Sequence, residues 1–223
     1  MSTRPAAVLW DMDGTIVDTE PYWIAAEYEI VEMHGGTWSH DHGMAVVGKD
    51  LLDTGAYVRD NGPVPLEPHE IVEMLLDRVV ASVRREIPWR PGARELLADC
   101  RTAGAATALV TMSWRRFATE VVDALPPSSF DVLVVGDDVE KGKPHPDPYL
   151  LAAERLGVDP RDCLAVEDSP TGVASALAAG CTVLAVPHMV PIHVPDGTGD
   201  LLVVRDSLAG LRHADLHGLL RHR

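Results

Sequence analysis

Acidic side chains recur in this sequence where short apolar runs give out. Asp11, Asp13 and Asp18 fall in the stretch Asp-Met-Asp-Gly-Thr-Ile-Val-Asp that comes after Ala6-Ala7-Val8-Leu9-Trp10. So many carboxylates in one loop are costly unless a cation or another positive group sits among them. Gly14 lets the chain bend sharply after the first pair, and Thr15 has a hydroxyl that can cap the next turn. Thr111-Met112-Ser113 offers two hydroxyls and a run of backbone N–H groups opening a helix, which is the chemistry of an anion seat. Lys141-Gly142-Lys143-Pro144-His145-Pro146-Asp147-Pro148 contains two of the three lysines of the chain. Its prolines fix the backbone and so aim its side chains. Lys143 is read as the cation that faces the acids, and Lys141 and His145 as exposed. Glu167-Asp168-Ser169 is another acidic pair. Alone, each stretch is an ordinary turn or helix cap. Together they supply acids, hydroxyls, a lysine and acids again, in chain order.

The elements between them fix where these groups meet. Residues 6–10, 105–110, 132–135, 163–166, 182–186 and 201–204 read as short buried strands. Helical patterns over 93–102, 114–124, 148–156 and 171–179 alternate with them. Strands separated by helices of about ten residues imply a doubly wound, parallel, Rossmann-like α/β sheet with helices on both faces. In such a sheet, ligands gather at the carboxyl ends of the strands, and each acidic or hydroxyl-bearing stretch falls at one. The scheme is interrupted after the first strand. Residues 21–34 and 70–86 have helical periodicity, with a further helix around 51–59 and no good strand. The expected organisation is a catalytic α/β core of residues 1–18 and 88–223, with a helical cap inserted at 19–87. His188 to Gly199 reads as a loop, and the tail histidines His213, His217 and His222 as solvated.

Composition narrows the partners. The chain has 223 residues, 46% of them hydrophobic, and a formal charge of −15. That is enough chain for a substantial core. The acidity argues against nucleic acid or an anionic membrane surface as a partner, though a locally positive site can still take a small anion. Cys100, Cys163 and Cys181 are odd in number and lack metal-type spacing, which reads as reduced core thiols. No signal-peptide pattern precedes the first strand and no apolar run is long enough to span a membrane. The expectation is a cytoplasmic protein, monomeric or a small homo-oligomer.

These residues resemble the motifs of the haloacid dehalogenase superfamily, in the branch with a helical cap after the first motif. Asp11-Met12-Asp13-Gly14-Thr15 is similar to its first motif, Thr111 to its second, Lys143 to its third and Glu167-Asp168 to its fourth. Glu167-Asp168-Ser169-Pro170-Thr171-Gly172, followed by an Ala-rich helix and Gly180, is also characteristic of this branch. Cap and core together cover nearly the whole chain. The resemblance implies magnesium bound by the Asp11 side chain, the Asp13 backbone carbonyl and the Asp168 side chain, with Glu167 as a supporting or alternative ligand. It implies nucleophilic attack by Asp11 and proton transfer by Asp13. Lys143 would neutralise nucleophile and phosphate, and Thr111, Met112 and Ser113 would hold the remaining phosphate oxygens. The dehalogenases lack an acid at Asp13 and the cation-pumping ATPases carry a threonine there, so a phosphate-ester hydrolase or mutase is favoured.

Between those two, β-phosphoglucomutases carry a histidine where this chain has Trp23 and an arginine where it has Leu51. Asp18-Thr19-Glu20-Pro21-Tyr22-Trp23 is instead similar to phosphatases acting on hexitol and deoxysugar phosphates. The expectation is a phosphatase for a small phosphorylated metabolite, a sugar or polyol phosphate. Glu20 and Lys49 are its cap-side candidates for substrate contact, and Trp38 and Tyr57 are packing residues. A phosphorylated signalling receiver places its acids differently and has no cap. A cap-bearing binding protein would have no need of the intact acid, lysine and metal set.

Overall fold

The structure, a computed structural model, describes residues 4–192 and 198–220. Its centre is β1 (Ala7–Trp10), fully buried along its length. Three short runs rich in Ala, Val and Leu pair beside it or one strand out: β2 (Ala106–Val110), β3 (Val132–Val134) and β4 (Cys163–Glu167). With β5 (Thr182–Ala185) and β6 (Leu202–Val204) they form a six-stranded sheet in the order β3-β2-β1-β4-β5-β6, with every pair parallel. Parallel strands need crossovers that cover both faces, which is why these strands are apolar on both sides. Val8 and Trp10 point into one core, and Ala7 and Leu9 into the other.

The chain leaves β1 for β2 on one side and returns to β4 on the other, so β1 lies at the switch in strand order where α/β sheets bind ligands. Trp10 stands opposite both Leu109 and Val166. The residues just past β1, β2 and β4 therefore emerge side by side. Helices α5 (Ala93–Thr102) and α6 (Arg115–Asp123) cover one face, burying Leu96, Leu97 and Phe117. Helices α7 (Asp147–Leu156) and α8 (Pro170–Ala179) cover the other with small residues and Tyr149.

Four helices stand between β1 and α5 in sequence: α1 (Glu20–Met33), α2 (His40–Met44), α3 (Leu51–Asn61) and α4 (Pro68–Arg85). Local chemistry sets their ends. Pro21 lies in the first turn of α1, where no N–H is needed. The Leu52 N–H donates to Asp50 Oδ1 at 2.8 Å, and Glu70 closes a capping box with Glu67. Helix α2 is absent from the sequence expectation. Its cap is Ser39 answered by His42, rather than by the Glu or Gln that marks such a box in sequence. The insertion leaves and returns by neighbouring backbones. The Asp18 N–H donates to the Pro88 carbonyl at 2.7 Å and the Arg90 N–H to the Ile16 carbonyl at 2.8 Å. Beyond that seam, Trp23 of α1 meets Phe117 of α6 edge to face at 5.6 Å. Arg84 pairs with Glu120, and Arg116 with Glu73 and Asp77.

The three cysteines are buried and free, and burial pushes the Cys100 and Cys163 thiols up to about 12. Among the described residues, no helix is long and apolar enough to cross a membrane. One expectation is corrected. His213 is not solvated: it starts α9 (His213–Leu216) and is 5% exposed. Its N–H donates to Asp99 Oδ2 at 2.7 Å, and its ring meets His217 edge on. Leu216, fully buried, draws this tail onto the core, and desolvation holds the His213 pKa below the ordinary value. His222 and residues 193–197 of the 188–199 loop lie outside the described residues.

Because Phe117 is fully buried and contacts both core and insertion, Phe117→Ala is expected to cost about 3–5 kcal/mol in urea unfolding. Arg84→Ala, breaking a half-exposed pair, is expected to cost less than about 1 kcal/mol in the same measurement.

Candidate active site

Lys143 ties the strand ends together. Its loop is anchored by the Lys143 N–H donating to Met112 Sδ at 3.2 Å, and the Lys143–Pro144 peptide is cis. Its ammonium group donates to Asp11 Oδ1 at 2.7 Å, to the Val110 carbonyl at 2.8 Å and to Glu167 Oε1 at 2.6 Å. All three donors of the amine are thereby used. Burial works against its charge, yet Asp11 and Glu167 outweigh burial and raise its pKa. Lys143 is therefore the protonated partner among these acids.

The acids differ in their surroundings. Burial pushes Asp11 up to about 7, against the pull of Lys143 and with Glu167 and Asp13 adding to the rise. Asp11 Oδ2 is buried with no hydrogen-bond partner. The Asp13 carboxylate accepts from three hydroxyls: Thr19 at 2.5 Å, Ser113 at 2.7 Å and Thr111 at 3.3 Å. Burial raises its pKa and these bonds partly offset the rise. Asp168 is raised well above the ordinary range by burial and by the charges of Asp11 and Glu167. Gly14, at φ +86°, leaves the space that the Asp168 carboxylate fills; a Cβ there would overlap it. Gly172 makes room for the Glu167 carboxylate in the same way.

Above these groups lies a cleft open to solvent. Asp11, Asp13, Lys143 and Asp168 form its floor, with Thr111, Met112 and Ser113 to one side. Glu20, Trp23, Glu27, Lys49 and Leu51 of the insertion form the facing wall.

Comparison with known proteins matches this arrangement to a family. The sequence profile of the haloacid dehalogenase-like hydrolases fits residues 8–186, a span that runs from β1 through the end of β5. The chain belongs to the haloacid dehalogenase-like hydrolases. It is 33% identical over 190 residues to hexitol phosphatase B of Escherichia coli strain K12, covering 81% of this chain and 83% of that one. It is 34% identical over 185 residues to a phosphorylated carbohydrates phosphatase of Thermotoga maritima, covering 78% and 81%. The crystal structure of CbbY from Rhodobacter sphaeroides in complex with phosphate superposes with a TM-score of 0.82 at 28% identity, over 92% of this chain and 96% of that one.

In this hydrolase the residues singled out in sequence converge. Asp11, Asp13, Thr111, Met112, Ser113, Lys143 and Asp168 share the floor and side of one cleft, with Glu20 and Lys49 on its wall. Glu167 sits beneath, fully buried. Asp11, Glu167 and Asp168 each present a carboxylate oxygen within 4.8 Å of the others. An all-oxygen set with one unpartnered buried oxygen suits a hard divalent cation such as magnesium. A positive charge beside Asp11 Oδ2 would also offset the burial that raises Asp11 and Asp168. Glu167 has less to give as a ligand. Its Oε1 accepts from Lys143 and Tyr149, and its Oε2 from the Asp168 N–H at 3.2 Å and the Ser169 hydroxyl at 3.4 Å.

Three residues of the site have no counterpart in the sequence reading. The Tyr149 hydroxyl donates to Glu167 Oε1 at 2.6 Å. Burial and the neighbouring Glu167 and Asp11 raise its pKa, so it remains a donor. His188, just past β5, has Nε2 2.9 Å from Asp18 Oδ1, which ties a fifth strand end to the root of the insertion. Glu27 is 2% exposed and accepts from Trp38 Nε1 at 3.0 Å. Only the chemistry of strand ends was legible as a signal, and Tyr149 and Glu27 lie inside helices.

Tyr149→Phe leaves a buried carboxylate one donor short and is expected to cost about 1–3 kcal/mol in chemical unfolding. Burial lifts Glu27 to about 7 from the ordinary 4.5, so the unfolded chain ionises first and stability is lost as pH rises through that interval. Glu27→Gln keeps an acceptor for Trp38 but cannot ionise. Its Tm relative to wild type is expected to climb between pH 4.5 and 7 and then level off; a flat difference would refute the assignment.

Proposed function

We propose that this hydrolase is a magnesium-dependent phosphatase that cleaves a small phosphomonoester, a sugar or polyol phosphate, through an aspartyl-phosphate intermediate. The observation that carries the reading is the pairing of two acids at one strand end in opposite settings. Asp11 is oriented at Oδ1 by Lys143 and has Oδ2 unpartnered, as a nucleophile needs. Asp13 is held by three hydroxyls beside the cleft, its pKa raised by burial, as a proton donor needs.

An Asp11 carboxylate oxygen attacks phosphorus, forming an acyl phosphate as the bond from phosphorus to the leaving oxygen breaks. Asp13 gives its proton to that oxygen. Asp13 then takes a proton from water, which attacks phosphorus and frees inorganic phosphate and Asp11. With substrate bound, Thr111 and Ser113 would turn their hydroxyls from Asp13 to phosphate oxygens, and Lys143 offsets charge beside Asp11. Asp11 and Asp168, with Glu167 and the Asp13 carbonyl in support, would hold magnesium. When bound, the ion would neutralise the phosphate dianion, whose approach to Asp11 is otherwise opposed by about 4 kcal/mol per charge pair at ~4 Å.

Residues 19–87 serve as the cap that selects the substrate, and residues 1–18 and 88–223 as the catalytic core. Trp23 and Leu51 both line the cleft at the positions where the mutase resemblance calls for histidine and arginine, which favours hydrolysis over phosphate transfer within a sugar. The named activities of the hexitol and carbohydrate phosphatases point the same way.

A phosphate-release screen over sugar and polyol phosphates, with and without magnesium chloride, tests this. Release is expected only with the metal, to disappear with EDTA, and to fall at least about a thousandfold in Asp11→Asn. Wild-type-like turnover in that variant would refute the scheme. Interconversion of hexose phosphates without free phosphate would favour the mutase.

A further inference from the structure

Two carboxyl groups on the cleft wall take no part in this chemistry: Glu20 and Glu27 of α1. Seven residues apart, they lie on one face of the helix, two turns and about 10 Å along its axis. Glu20 is at the floor end, where burial and then the charges of Asp13, Glu27 and Asp18 push it up to about 8. It accepts no hydrogen bond among the described residues. Glu27 is at the far end, in a prepared setting. Its Oε2 is held by Trp38, whose ring stacks on His42 at 4.6 Å and meets Tyr57 edge on at 5.9 Å. Its Oε1 has no partner among the described residues.

Cations are scarce on this side. Lys143 has donated all three of its N–H groups at the floor. Lys49, the other lysine lining the cleft, is exposed at the rim with Nζ 5.1 Å from the Tyr57 ring centroid. A second anion on the substrate would meet two desolvated carboxyl groups and no buried partner. Hydroxyl groups would meet acceptors already in place.

We infer that Glu27, together with Glu20, is a specificity-determining pair that accepts the hydroxyls of an uncharged five- or six-carbon polyhydroxy leaving group and rejects leaving groups carrying a second anion. The inference rests on the phosphatase reading above. The length comes from the helix rise: Glu27 lies two turns, about 10 Å, along the axis from Glu20, a span that a three-carbon group does not cover.

The test compares kcat/KM for sorbitol 6-phosphate, 6-phosphogluconate and glycerol 3-phosphate with magnesium chloride present, in wild type and in Glu27→Gln. The first two esters differ only in a terminal hydroxymethyl against a carboxylate. Wild type is expected to favour sorbitol 6-phosphate over each of the others by about tenfold or more. In Glu27→Gln both ratios are expected to fall roughly tenfold, mainly through KM, as for one lost buried hydrogen bond. Ratios within one variant do not depend on how much of it is folded. Equal turnover of 6-phosphogluconate in wild type, or ratios unchanged by Glu27→Gln, would overturn this inference while leaving the phosphatase reading intact. Release of phosphate from none of the three esters would overturn both.

Discussion

The structure depends on compensating buried negative charge at the carboxyl end of a parallel sheet. Strand register creates the problem: β1 and β4 are neighbours, so Asp11 and Glu167–Asp168 emerge together. The Lys143 ammonium answers it by bonding Asp11, Glu167 and the end of β2 at once. A buried pair of this kind adds little net stability, but removing one partner leaves a charge that nothing else can neutralise. Around it the arrangement is graded. Glu167 has both oxygens occupied by protein donors, Asp13 is saturated with hydroxyls, and Asp11 retains one orphan oxygen. The incomplete position is the one where a substrate and a metal would be needed.

The acidity does not stop at the strand ends. Glu20 and Glu27 carry it outward along α1, where there is no lysine to answer it at depth. The floor sets a lysine among its acids and the wall does not. In the proposed phosphatase this split would let one cleft hold a dianion at one end and reject anions at the other.

Much of this was legible in the sequence because strand ends are. A short apolar run followed by acids or hydroxyls places those side chains at one edge of a parallel sheet, whichever helices intervene. Asp11, Asp13, Thr111, Ser113, Lys143 and Asp168 were found that way, and prolines flanking Lys143 marked a loop with a fixed aim. Apart from Glu20, at the first position of α1, residues that work from within a helix were not legible. Tyr149 reads as one more apolar position in α7, and Glu27 as one more acid on the wet face of α1, until Trp38 and the cleft are seen beside it. His213 sits in a polar tail that looks exposed, and only the burial of Leu216 shows that the tail packs down. Helix α2 has a cap completed by a histidine, a residue that is seldom a helix signal.

The seam between Ile16–Asp18 and Pro88–Arg90 bears on how such a protein can change over time. Because the two chain crossings are hydrogen-bonded to one another, the ends of the insertion are close whatever lies between them. A segment of any length whose ends meet can be exchanged there without moving a strand of the sheet. Lineages can thus remodel the wall of the cleft while inheriting the floor intact, and under the proposed role of the insertion the divergence of substrates among relatives would be written in the residues between those two crossings.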